Sequence, residues 1–225
     1  MSLIISDKHK YIFFHLPKNA GTSISSFLLE NENYKFFKKG IMFLLRTIKN
    51  KNTAYNFYLT GQNIKEKNFY QLSIKLFNSH SSVSKIQSII EPEIFESYHK
   101  FVVVRNPFDR FVSRYLYFKK ISKKFRKYKF VEFLKWDLAA DRVVNNQYHF
   151  LLNKNGQIGV NTILKFENID TDFKKLIKIF NFKDEKLARL NFTNNDNYKK
   201  FYNKECIDLI HAHCKKDLEF FNYSF

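Results

Sequence analysis

The stretch YIFFHLPKNAGTSISSFLLE, residues 11–30, governs how the rest of the chain is read. A strand-forming run at 11–16 stops abruptly at Pro17, Lys18 and Gly21, and the chain resumes as a polar-then-apolar helix from about Thr22 to Glu30. A strand, a tight loop with one lysine, and a helix whose first turn carries hydroxyls form a phosphate-binding arrangement. Successive backbone N–H groups and the positive end of the helix dipole point at whatever the loop holds. Thr22 and Ser23 add hydroxyl donors, and Lys18 adds a full positive charge. In the G-x-x-x-x-G-K-[ST] loop of nucleotide kinases the lysine follows the second glycine. Here it precedes the loop's single glycine by three residues, so the cradle is of another design.

The whole chain sets the bounds around that loop. Its 225 residues fit one domain, and a hydrophobic content of 44% without any long polar tract argues for a packed core rather than disorder. Lys and Arg number 39 against 21 Asp and Glu, a net charge of +18 that suits an anionic ligand and equally suits general solubility. MSLIISDKHK has charges but no apolar signal core, and the longest apolar run, IMFLL at 41–45, is far short of the roughly twenty residues that span a bilayer. Cys206 and Cys214 lie eight residues apart in what reads as one helix, about 12 Å along its axis, too far to bridge. The expectation is a cytoplasmic protein without a membrane segment or disulfides.

Further along, Val83, Ile86, Ile89 and Ile90 have helical spacing between about Ser82 and Ile90. KFVVVRN, residues 100–106, has no polar break and reads as a strand buried on both faces. Pro107 stops it at the first position of a helix to about Lys120, with Asn106 as N-cap. A short strand at 160–166 and helices near 170–181 and 198–221 follow, whereas 31–78 shows no sustained period. Strands alternating with helices predict an α/β fold around a mostly parallel central sheet, with ligands at the carboxyl ends of the strands. Arg105 closes the second buried strand and offers a planar fork for phosphate. Ser113, two helical turns on, can approach the same group. The alternative is an Arg105–Asp109 ion pair with Ser113 neutral.

These residues carry a family resemblance. PKNAGTS at 17–23 resembles the 5′-phosphosulfate loop of carbohydrate sulfotransferases of sulfotransferase family 2, the group of the heparan sulfate 2-O- and chondroitin sulfotransferases. FVVVRNPFDRFVSRYLYF at 101–118 resembles their 3′-phosphate motif, and SHSSVSKIQ at 79–87 the segment of their catalytic histidine. TILKFENIDTDFKKL at 162–176 and YNKECIDLIHAHCKKDLEFFNYSF at 202–225 resemble their closing segments, and all five stand in the family's order. Residues 31–75 are left unaligned. The resemblance implies a P-loop-like α/β domain and 3′-phosphoadenosine-5′-phosphosulfate (PAPS) as sulfuryl donor, with no metal required. It implies that Lys18 contacts the 5′-phosphate and bridging oxygen, and that the backbone of Asn19, Ala20 and Gly21 with Thr22 and Ser23 cradles that phosphate. Arg105 and Ser113 would hold the 3′-phosphate, and His80 would be the general base toward a carbohydrate hydroxyl. Without an anchor of the Golgi kind, the resemblance points to a cytoplasmic bacterial enzyme.

Other features read more plainly. His15 is expected as a packed strand-end histidine, with a second base as its alternative. HAHC at 211–214 looks like a metal tract, but positions 211 and 213 face nearly opposite sides of a helix. Glu167 suits either a site-orienting role or an ion pair with Lys165 or Lys174, and Lys199 and Lys200 begin the last helix. A small-molecule kinase would need a lysine after the glycine and an acidic magnesium ligand, and neither is evident. A nucleic-acid-binding protein would explain the charge but not two anion motifs at strand ends. The densest basic cluster is Lys119, Lys120, Lys123, Lys124, Arg126, Lys127 and Lys129. Since its helix leaves the ligand edge and runs about 20 Å, the cluster is expected on the far side of the molecule.

Overall fold

The apolar runs at Tyr11–Phe14 (β2) and His99–Val104 (β5) are the two central strands of the sheet, paired in parallel with Phe13 opposite Phe101 and Phe14 opposite Val102. The computed structural model describes residues 3–31, 80–140, 142–183, 186–188 and 197–225, and the backbone of 55–62 and 69–76. Thr162–Lys165 (β6) pairs in parallel with the far side of β5, and Leu3–Ser6 (β1) runs antiparallel along β2. The sheet order is β1-β2-β5-β6, so three strands are parallel and one edge strand is not. Nothing in the sequence around LIIS marks β1; its pairing with β2 makes it a strand. Tyr55–Gln62 (β3) and Phe69–Leu76 (β4) form an antiparallel hairpin within the stretch that showed no sustained period.

The unbroken apolar runs at Tyr11–Phe14 and 101–104 follow from cover on both faces. Ile12, Phe14, Val102 and Val104 pack on one face against Val83, Ile86, Phe150 and Phe221. Tyr11, Phe13, Phe101 and Val103 pack on the other against Ile24, Phe27 and Leu28 of Gly21–Asn31 (α1) and Phe173 and Leu176 of Ile169–Phe180 (α7). A third, helical core joins Phe108, Phe111 and Val112 of Pro107–Ile121 (α4), Phe133 and Leu134 of Phe130–Ala139 (α5), and Ile210 of Lys204–His213 (α8).

Local chemistry sets several boundaries. Pro107 begins α4, and the Asn106 side chain accepts the N–H of Phe108 at 3.1 Å. The helix expected from Ser82 to Ile90 is only Val83–Gln87 (α2), and Pro92–Ser97 (α3) follows it. The single helix expected over 198–221 is a 3-10 turn at Tyr198–Phe201, then α8, then Lys215–Phe221 (α9). Cys206 and Cys214 are both buried and unbridged; Cys214 caps the helix that holds Cys206, its N–H on the Ile210 carbonyl at 2.8 Å, so the helical spacing between them holds up to the break. Gln147–Phe150 (α6) completes the described helices.

Candidate active site

The loop after β2 is strained and heavily tied down. Lys18 and Ala20 both have positive φ, 69° and 57°, a region costly for residues with a Cβ unless the surroundings enforce it. Three side chains do so. Arg110, fully buried, donates from Nε to the Pro17 carbonyl at 3.2 Å and through its other nitrogens to Val144 and Asn145 carbonyls. Arg105 Nη1 donates to the Lys18 carbonyl at 2.9 Å. Asn19 Nδ2 donates to the Val103 carbonyl at 2.7 Å and to Gln147 Oε1 at 2.8 Å. Positive φ at alternating positions turns successive N–H groups to one side, the concave form that binds anions. Gly21 then opens α1, where a Cβ would lie 1.8 Å from His15 Nε2, so no larger residue fits without moving that ring.

A cavity of about 580 Å³ opens beside this loop, within the range of small-molecule sites. Lys18, Ala20, Gly21, Thr22, Ser23, His80, Arg105 and Ser113 all line it. Asn19 does not, because its side chain is buried against β5. His15 also lines the cavity, its ring stacked beside Phe13 and perpendicular to His80 with centroids 5.1 Å apart. It is thus packed, as expected of a strand-end histidine, and also at the site.

His80 Nδ1 lies 2.7 Å from the carbonyl oxygen of His15. A carbonyl only accepts, so Nδ1 carries the proton and the neutral ring keeps its lone pair on Nε2. Burial lowers the His80 pKa below the ordinary 6.5, opposed by that hydrogen bond and aided by the Arg110 and Arg114 charges. The Lys18 ammonium sits 4.5 Å from the centre of the Tyr117 ring. Burial first, then the charges of Arg105 and Arg114, lower its pKa to about 8.

Arg105 makes the pair that the sequence left as an alternative, Nε and Nη2 reaching Asp109 Oδ2 at 2.7 and 2.6 Å. Its guanidinium also lies 3.9 Å from the centre of the Phe166 ring, which lines the cavity. The pairing does not remove Arg105 from the cavity, since Asp109 lines it too. Asp109 Oδ1 is buried with no hydrogen-bond partner among the described residues. Glu167 pairs with neither Lys165 nor Lys174 among the bonds described. It accepts from the Asn106 N–H at 2.7 Å and the Tyr223 hydroxyl at 2.8 Å. His211 packs on Phe108 at 5.5 Å, and no group of three or more His, Cys, Asp or Glu able to hold a metal occurs among the described residues. Lys199 and Lys200 sit in the 3-10 turn, over the rings of Phe225 and Phe201.

The first two lysines of the basic cluster follow the cavity wall more closely than the helix direction alone suggests. Asp109, Ser113 and Tyr117 all line the cavity, so its wall follows α4 for eight residues, about 12 Å. Lys119 and Lys120 therefore lie within one turn of the wall. No sequence motif marks a role for Arg110, Arg114, Asp137 or Gln147, and only the fold brings them to the loop or to one another. Arg114, nine residues after Arg105, is buried and held by Asp137 at 2.8 and 2.7 Å, with Arg142 on the same carboxylate. The one available signal was three arginines in ten residues, 105, 110 and 114, in a segment otherwise rich in core aromatics.

The profile of the sulfotransferase family matches residues 1–224. An uncharacterised protein of Archaeoglobus fulgidus is 34% identical over 115 residues, covering 51% of this chain and 94% of that protein. No solved structure matches. Since the family match spans nearly the whole chain, with both strand-end loops and the His80 segment between them, the chain belongs to the sulfotransferase family and is a transferase enzyme.

Proposed function

We propose that this protein transfers a sulfuryl group from PAPS to a carbohydrate hydroxyl. The observation that carries the reading is that the Lys18 loop, Arg105 and a tautomer-fixed His80 open on one cavity. The residues present fit the donor: the N–H concavity and Lys18 suit its 5′-phosphate, Arg105 and Ser113 its 3′-phosphate, and the orphaned Asp109 Oδ1 a ligand hydroxyl or amine. When bound, PAPS supplies a sulfuryl group already attached to a phosphate leaving group. Lys18 Nζ would offset the negative charge that grows on that phosphate. His80 Nε2 would accept the proton of the attacking hydroxyl, and Nδ1, tied to the His15 carbonyl, keeps Nε2 the accepting atom. The loop after β2, with α1 and α4, forms the wall that carries Lys18, Thr22, Ser23 and Ser113, and positioning is the main resource in such in-line transfers.

Calorimetry tests the donor. Adenosine 3′,5′-bisphosphate should bind more tightly than adenosine 5′-phosphate by about 1.5–3 kcal/mol, roughly 10- to 150-fold. The lower end is expected because Asp109 already engages two of the Arg105 nitrogens. Arg105→Ala should abolish the preference. Equal affinities in the unaltered protein would remove Arg105 and Ser113 from their roles, and tighter binding of ATP would favour a kinase.

The pH profile of kcat/KM tests the two proton-dependent residues. His80 must be neutral to accept a proton, and its pKa lies below 6.5, so activity should fall only as pH drops below the ordinary imidazole range. Lys18 must be charged, so activity should fall as pH rises through about 8. Lys18→Arg should move the alkaline limb far upward, because a guanidinium stays charged. An alkaline limb left in place by Lys18→Arg would assign it to another group.

A further inference from the structure

We propose that Gln147 is a positioning residue that fixes the separation between the Lys18 loop and Arg105, and thereby sets selectivity for ligands anionic at both ends. The inference rests on the donor reading above. Gln147 is fully buried at the start of α6 and does not line the cavity, so whatever it does passes through other residues. Its carboxamide pairs with the backbone of Arg105 in both directions. Nε2 donates to the Arg105 carbonyl at 2.8 Å, and Oε1 accepts the Arg105 N–H at 3.0 Å. That two-way pairing adds the equivalent of one ladder rung just past Val104, where β5 ends.

The same Oε1 accepts from Asn19 Nδ2 at 2.8 Å, and Asn19 Nδ2 also reaches the Val103 carbonyl at 2.7 Å. One carboxamide thus joins the middle of the strained loop to the backbone of the arginine at the next strand end. Gln147 is in turn anchored from outside. Asp217, fully buried in α9, accepts its N–H at 2.9 Å and its Nε2 at 3.3 Å, and accepts the Tyr148 N–H at 2.7 Å. Every carboxamide atom that can hydrogen-bond is engaged, so the side chain has one geometry.

A ligand that touches only the loop is indifferent to where Arg105 lies. A ligand that spans both ends gains from their fixed distance, because the second contact forms without further ordering. Gln147 should therefore act on the ratio of two affinities rather than on either alone. Gln147→Met keeps the length of the side chain and removes its hydrogen bonds. Asn19→Ala cuts the bonds from the loop to both Gln147 and the Val103 carbonyl and leaves the Gln147–Arg105 pairing, so it serves where Gln147→Met fails to fold.

Calorimetry on the full chain with adenosine 3′,5′-bisphosphate and adenosine 5′-phosphate reads the ratio. Gln147→Met should lower the bisphosphate-to-monophosphate ratio about tenfold, and Asn19→Ala about threefold, with monophosphate affinity changed less than either. If the folded variants lose affinity for both nucleotides in proportion, Gln147 is a structural residue only and the proposal is overturned. If the unaltered protein itself shows no preference, the donor reading fails first and the proposal falls with it. A normal preference in the unaltered protein that survives intact in the variants overturns the Gln147 role alone.

Discussion

His80→Ala should lower turnover by about 10² to 10⁴ while leaving affinity for adenosine 3′,5′-bisphosphate nearly intact, as expected for loss of a general base that does not touch the donor's anionic groups. The structure supplies the reason for the size of the effect. The Nδ1 bond to the His15 carbonyl at 2.7 Å and the perpendicular His15 ring hold the imidazole in one orientation, with Nε2 as the acceptor. Just beyond it, the Ser82 side chain caps α2 by accepting the Lys85 N–H, so the histidine sits against a defined helix start. Steady-state rates with saturating donor, compared with calorimetric nucleotide affinity, separate the two quantities. A variant with a normal rate would refute the assignment and turn attention to His15, whose ring lines the same cavity.

Asp137→Ala should destabilise the fold by about 3–5 kcal/mol, the range for removing one partner of a buried ion pair. Asp137 is fully buried and receives both Nε and Nη2 of Arg114, itself almost wholly buried, together with Arg142. Without it the Arg114 charge is left in the interior with nothing of opposite sign on its nitrogens. Urea unfolding measures the loss. By contrast, Glu205→Ala should leave the midpoint almost unchanged, because its bond to Lys135 lies on the surface, both side chains at least half exposed. A second effect should accompany the first. Arg114 already helps lower the Lys18 pKa, and an uncompensated Arg114 disfavours the ammonium further. Under conditions where Asp137→Ala remains folded, the alkaline limb of kcat/KM should therefore move below about 8. An unfolding midpoint unchanged by Asp137→Ala would show that Arg114 finds other partners.

How much of this could be read in advance varies residue by residue. The run FVVV, with no polar break, announced a strand covered on both faces, and Asn106–Pro107 announced where the next helix begins. Those are short-range signals, set by the few residues around them. β1 gave no such signal: what makes LIIS a strand is its neighbour β2, which starts five residues after Ser6. The helix expected over 198–221 failed for a related reason. Its apolar spacing continues across Cys214, but tertiary packing divides it into α8 and α9, the latter placing Asp217 on the backbone N–H groups of Gln147 and Tyr148. Of residues 31–75, the stretch left unaligned in the family resemblance, 32–54 and 63–68 lie outside the described residues.

By itself the sequence determined the chemistry at the strand ends: a lysine and hydroxyls in a loop after β2, an arginine after β5, and a histidine in the segment between them. These follow from residue type and spacing within about ten positions, the range over which chain geometry alone fixes neighbours. Only the tertiary structure decided the states of those groups. His80 takes its tautomer from a carbonyl 65 residues earlier, Arg105 is tied to the Lys18 carbonyl 87 residues away, and Gln147 reaches back 42 residues to Arg105 and 128 to Asn19. The physical reason is that buried polar groups must find partners, and across a parallel sheet those partners come from strands far apart in the chain. Residue type fixes what a side chain can donate or accept, and only the fold decides which partner it meets.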